Sequence, residues 1–124
     1  MMRWSPPLKA MDWLVRRPIA HRGLHDLKNG VVENTATAFA CAIKYGYAIE
    51  CDLQLTSDGE AVVFHDDVLD RLTTGSGPVK AQTTRELRNL AFKSGRDRIQ
   101  TLGELLDQVS GKAPVIIEIK IRVL

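Results

Sequence analysis

Cysteine is nearly missing from the chain: two residues in 124, Cys41 and Cys51, with no CxxC pair. That leaves no thiolate cage for zinc and no redox dithiol, and a reduced, cytoplasmic chain is the expectation. An excess of one charge is missing too. Seventeen Lys and Arg against fifteen Asp and Glu leave +2, too little to argue for nucleic acid or an anionic membrane as partner. Long hydrophobic runs are also lacking. Uncharged stretches such as residues 34–43 fall well short of the ~20 apolar residues that cross a bilayer, so no stable membrane insertion is expected. The N-terminus interleaves Arg3, Lys9, Arg16 and Arg17 with Pro6 and Pro7, a pattern at odds with an ordinary secretory signal. Hydrophobic residues at 44% and charged residues at 26% describe one packed domain rather than disorder.

Residues 1–17 read as a loosely structured lead-in, with one helical turn around 11–15, and residues 18–124 as the domain. A short apolar run at 18–21 ends in Arg22-Gly23, a strand entering a loop. Asn34 offers a helix N-cap, Ala36, Phe39, Ala40 and Ile43 follow at helical spacing, and Gly46 stands where a C′ residue belongs. Residues 48–55 switch to a period of two, with Glu50, Asp52 and Gln54 on one face and Ile49, Cys51, Leu53 and Leu55 on the other. After a Ser57-Asp58-Gly59 turn, residues 61–65 form another strand, with Val62 and Phe64 opposite Val63 and His65. Residues 66–82 read as a long loop, in which Gly75-Ser76-Gly77 is a turn and not a phosphate loop.

Thr83-x-x-Glu86 and Thr101-x-x-Glu104 are capping boxes, each opening a helix. The second helix shows Leu102, Leu105, Leu106 and Val109 on one face and stops at Gly111. Residues 114–120 form the last strand, with Ile116, Glu118 and Lys120 on one side. Strands separated by helices favour a parallel sheet covered by helices, while the tight second connection does not exclude a hairpin.

The polar residues divide into two groups. Glu50 and Asp52 share a strand face, and Glu118 stands in the same way on the last strand. Carboxylates are rarely buried unless paired or metal-bound, and three of them without thiolate or imidazole suit a hard cation, Mg²⁺ or Ca²⁺. A solvated strand face is the plainer reading of an ExD pair. His21 and His65 both end strands, at the mouth where parallel α/β folds bind ligands. Gly23 makes a helical His21-x-x-x-His25 zinc site unsuitable. Arg22 and Lys120 bring positive charge to the same rim, suited to phosphate or to offsetting the carboxylates.

Together His21-Arg22-Gly23, Glu33-Asn34-Thr35, Glu50-x-Asp52, His65-Asp66 with Leu69-x-Arg71-x-Thr73-x-Gly75, and Glu118-Ile119-Lys120 resemble the glycerophosphodiester phosphodiesterase family, from about Pro18 to Lys120. The resemblance implies a TIM-barrel (β/α)₈ hydrolase that splits glycerophosphodiesters into an alcohol and glycerol 3-phosphate, with one divalent cation. It implies Glu50, Asp52 and Glu118 as metal ligands and His21 and His65 as general acid and base. Arg22 and Lys120 become phosphate- and substrate-side cations, with Glu33 and Asn34 in supporting places beside them.

A complete barrel of this type needs about 250 residues. The chain is therefore expected to be the N-terminal half of such a domain, truncated after a fourth strand, with Val63 and Ile116 exposed and the open sheet edges inviting self-association. A catalytically inactive half-barrel retaining a metal or phosphate site is the alternative, as is a barrel phosphodiesterase of the phospholipase type.

Overall fold

A computed structural model describes residues 16–120. The helical turn expected at 11–15 and the apolar tail 121–124 lie outside the described residues. Everything is arranged about one long strand, β2 (Ala48–Leu55). Strand β1 (Ile19–His21) runs parallel to its first half, with His21 opposite Glu50. Ile49 is flanked by Ala20 on one side and Val115 on the other, because β4 (Val115–Ile119) runs parallel along the far edge, from Ile49–Val115 to Leu53–Ile119.

Strand β3 (Ala61–Val63) returns antiparallel, with Leu53 opposite Val63. The tight second connection is thus a hairpin. The described residues hold three parallel strands and one antiparallel addition, where the sequence pointed to four successive barrel strands. The β3 pairing ends at Val63, so Phe64 and His65 lie beyond the strand, although the Phe64 N–H still reaches the Asp52 carbonyl at 3.0 Å.

Helix α1 (Ala36–Lys44) is capped by Thr35, whose hydroxyl accepts from the Ala38 N–H. Asn34 does not cap it. Its side chain is engaged by Asp52 instead, with Nδ2 donating to Oδ2 at 3.0 Å. The buried stripe of α1 is Ala38, Phe39 and Ala42, and Ala40, expected inside, is exposed. Helices α2 (Thr84–Arg88) and α3 (Leu102–Val109) both carry the full reciprocal capping box, at Thr83/Glu86 and Thr101/Glu104. Helix α3 buries Leu105 and Val109, an i, i+4 pair, and leaves Leu106 48% exposed.

Two apolar clusters result. One lies between the sheet and helices α1 and α3: Phe39, Ala42, Ile49, Cys51, Leu53, Val63, Leu105 and Val109. Val63, expected to be exposed, is fully buried there, and Ile116 is half-buried. The other lies under the loop that follows β3, where Val62 and Phe64 meet Leu69, Leu72, Val79, Leu87 and Phe92, with the Phe64 and Phe92 rings stacked at 6.5 Å. Each large side chain fully buried in this way contributes roughly 1.5–3 kcal/mol. The loop thereby becomes a fixed platform for the residues it carries. Among the described residues, no helix is long and apolar enough to cross a membrane.

Candidate functional site

The alternation of β2 sends Ile49, Cys51 and Leu53 into the first cluster and turns Glu50 and Asp52 to the opposite face. Asp52 stands directly across from Glu118 of β4. One carboxylate oxygen from each of Glu50, Asp52 and Glu118 lies within 4.8 Å of the others. Like charges directly opposite on paired strands are destabilising, and here Asp52 is fully buried. Glu50 Oε1 and Asp52 Oδ1 are buried without a hydrogen-bond partner among the described residues. Burial pushes the Glu50 carboxyl above its ordinary range; the Arg22 backbone N–H opposes this, and the Asp52 charge adds to it. Behind them the Cys51 thiol is pushed up to about 12, by burial first and by the two carboxylates next, so it packs as an inert apolar group. An all-oxygen donor set with unmet acceptors fits a hard divalent cation of the Mg²⁺ or Ca²⁺ kind.

The loop after β1 reaches over this trio. The Arg22 backbone N–H donates to Glu50 Oε2 at 2.9 Å, its Nη1 to Glu33 Oε2 at 2.7 Å, and its Nε lies 3.7 Å from Asp52 Oδ2. Arg22 and Asn34 both hold left-handed backbone, with φ of 61° and 56°, and the Asn34 N–H donates to the Arg22 carbonyl at 2.8 Å. Such conformations cost of order 1–3 kcal/mol each and tend to gather at functional sites. Gly23 follows with φ +78°, where an added Cβ would sit 2.8 Å from the Ala38 Cβ. Only glycine lets this loop close onto α1.

His21 is largely exposed, with Nε2 3.7 Å from Glu50 Oε2. His65 follows β3, its Nδ1 2.9 Å from Asp66 Oδ1. Gln54 steadies that segment by donating from Nε2 to the carbonyls of Phe64 and Asp66, each at 2.8 Å. The Lys120 ammonium donates to the His65 carbonyl. Arg71 hydrogen-bonds Asp66, and that bond is the main reason the Asp66 carboxyl falls to about 2, with His65 contributing.

The trio Glu50, Asp52 and Glu118 therefore assembles. Arg22 and Asn34 contact it directly, and Glu33 reaches it through Arg22. His21 borders it through Glu50, while His65 and Lys120 are joined to each other. Sequence reasoning gave no role to Asp66, Arg71 or Gln54. The adjacency of Asp66 to a strand-end histidine was a usable signal; Arg71 stands in one of the motifs that carry the family resemblance, but its aperiodic loop gave no sign of its partners.

The model of the glycerophosphoryl diester phosphodiesterase family matches residues 21–123. A glycerophosphodiester phosphodiesterase of Caldanaerobacter subterraneus subsp. tengcongensis is 46% identical over 110 residues, covering 82% of this chain and 44% of the relative. One from Bacillus subtilis is 34% identical over 117 residues, covering 82% and 39%. Among solved structures, a glycerophosphodiester phosphodiesterase from Agrobacterium tumefaciens superposes with TM-score 0.76 at 31% identity, over 85% of this chain and 47% of that one. A phosphodiesterase from Oleispira antarctica, in complex with its product sn-glycerol-3-phosphate, gives TM-score 0.74 at 32% identity, over 84% and 44%. The chain spans less than half the length of these relatives. Its α/β architecture is part of their TIM-barrel fold.

Proposed function

Because the chain belongs to the glycerophosphoryl diester phosphodiesterase family, we propose that its site serves the hydrolysis of a glycerophosphodiester to an alcohol and glycerol 3-phosphate, in the turnover of glycerophospholipids. The observation that carries this reading is the buried Asp52 facing Glu118 beside Glu50, with acceptor oxygens left unmet. These three would hold one Mg²⁺ or Ca²⁺. When bound, the cation would polarise a phosphoryl oxygen and ease deprotonation of a neighbouring hydroxyl.

The rest is the work of the chain's own residues. Three carboxylates around a dication leave a net −1, and a phosphodiester brings another. Arg22 and Lys120 offset that repulsion at the rim, and Glu33 fixes Arg22 through Nη1. Asn34 keeps Asp52 turned toward the trio. His65, with Nδ1 directed at Asp66, has Nε2 for proton transfer, and His21 offers an exposed imidazole beside Glu50. One histidine takes the proton of the attacking hydroxyl, from water or from the glycerol itself. The other gives a proton to the departing alkoxide, each transfer being worth roughly 10²–10⁴ in rate. The free thiols of Cys41 and Cys51 suit a reducing, cytoplasmic setting.

A second reading draws on β4, whose Ile117 and Ile119 are 37% and 64% exposed. In that reading residues 18–124 form a half-barrel unit that binds cation and phosphate without turnover of its own and self-associates through its sheet edges. The test is incubation of the chain with glycerophosphocholine and Mg²⁺ or Ca²⁺, with and without chelator. It is paired with titration by sn-glycerol 3-phosphate and with sedimentation. Cation-dependent release of glycerol 3-phosphate supports the first reading. Cation-dependent binding without release, by a self-associating chain, supports the second. Neither binding nor release sinks both.

A further inference from the structure

Glu33 and Asp66 lie on separate stretches of chain, one in the loop after β1 and one just beyond β3, and a single side chain joins them. Arg71 Nη2 is 2.5 Å from Glu33 Oε1. Its Nε and Nη2 also reach Asp66 Oδ2 and Oδ1, at 2.7 and 3.1 Å. The other oxygen of Glu33 takes Arg22 Nη1 at 2.7 Å, and Asp66 Oδ1 meets His65 Nδ1 at 2.9 Å. An unbroken row of charge-assisted contacts thus runs Arg22–Glu33–Arg71–Asp66–His65.

Stability alone does not explain the Arg71 end of this row. Arg71 is half exposed, and exposed ion pairs are worth only about 0–1 kcal/mol. Direction is what a planar guanidinium supplies. Two parallel N–H bonds to one carboxylate fix its plane as well as its distance, whereas a lysine is a point charge free to swing. A carboxylate held by both oxygens cannot rotate away from the imidazole it faces. Neutral imidazole carries one N–H, so an acceptor fixed at Nδ1 draws the proton there and leaves the lone pair on Nε2. The charged groups around His65 are Asp66 at the ring, Arg71 behind Asp66, and the Lys120 ammonium on the backbone carbonyl.

We infer that Arg71 is a positioning residue for His65: by binding Glu33 and Asp66 together it holds Asp66 on Nδ1 and leaves a proton-free Nε2 for the phosphodiester. The role of Nε2 rests on the phosphodiesterase reading, while the tautomer follows from the contacts alone.

Long-range ¹H–¹⁵N spectra of the imidazoles test this on the whole chain, comparing Arg71→Met, Arg71→Lys and Asp66→Ala with the parent. Neutral His65 in the parent is expected as the Nδ1–H form. Arg71→Met and Asp66→Ala are expected to give a mixture of both tautomers, with Arg71→Lys in between. Parent-like Nδ1–H in Arg71→Met overturns the inference. If that variant fails to fold, parent-like Nδ1–H in Arg71→Lys does so. An unchanged tautomer in Asp66→Ala overturns it as well. If the parent shows no glycerophosphodiester turnover, the catalytic reading falls while the spectra still decide the role of Arg71.

Discussion

Asp52 and Glu118 stand side by side on adjacent parallel strands, one fully buried and one exposed, with no cationic residue in the register between them. Two carboxylates so placed lower the stability of the bare protein, and a divalent cation reverses the sign of the interaction. Mg²⁺ or Ca²⁺ should therefore raise the denaturant midpoint of the chain, corresponding to about 2.7 kcal/mol of added unfolding free energy at a hundredfold excess over Kd. Glu118→Gln should lose most of that increment. A midpoint indifferent to chelator in the parent chain would count against the cation site.

Either His21→Ala or His65→Ala should lower kcat by about 10²–10⁴ with a much smaller change in KM, in any preparation that hydrolyses glycerophosphocholine. The double variant should cost little beyond one single change, because in the proposed reaction the two would act on one scissile bond. Strictly additive losses in the steady-state constants would assign them independent roles.

Glu33 is 8% exposed and accepts from two arginines, one at each oxygen. Glu33→Gln keeps the shape but removes the charge, leaving two guanidinium groups facing an amide. A loss of about 1–3 kcal/mol is expected in urea melts, together with weaker phosphate binding through a displaced Arg22. Unchanged stability and unchanged affinity would show that the arginines find other acceptors.

The Asp66 carboxyl lies well below its ordinary value of 3.8, at about 2. A group depressed on folding contributes stability that is fully present above the unfolded value and is lost as pH falls through the folded one. The chain should accordingly lose stability between about pH 3.8 and 2 on account of this residue. Asp66→Asn should flatten that part of the acid limb, as read by denaturant midpoints across pH.

Gly23 and Gly46 both have positive φ, yet only Gly23 is crowded, by Ala38 and Phe39, while nothing lies within 4 Å of a Cβ at Gly46. Gly46→Ala should cost about 1–2 kcal/mol for the backbone alone. Gly23→Ala adds overpacking of typically 1–3 kcal/mol and should displace the Arg22 loop, with loss of cation binding. Equal destabilisation of the two variants would show that the loop yields freely.

Much of this was legible in residue order because it is local. The period of two in β2 separated the carboxylates from Ile49 and Cys51, and both capping boxes formed where Thr83 and Thr101 announce them. What escaped was decided by distant partners. Asn34 has the chemistry of a cap, but Asp52, far along the chain, engages its side chain and leaves the role to Thr35. The buried stripe of α1 is set by what it packs on, so Ala42 went in and Ala40 stayed out. The tie from Arg71 to Glu33 is closed only by the packed loop beneath it.

Strand β2 carries the carboxylates Glu50 and Asp52 on one face and its core residues Ile49, Cys51 and Leu53 on the other. Because side chains alternate strictly, a slip of one residue against β1 and β4 would exchange the two sets completely. Carboxylates would then press on Phe39 while Cys51 and Ile49 took the place of the acidic trio. Misregistered copies of this strand would lose the core and the carboxylate trio for the same reason. Any quality control that detects exposed apolar surface would thus also remove the molecules whose trio never assembled.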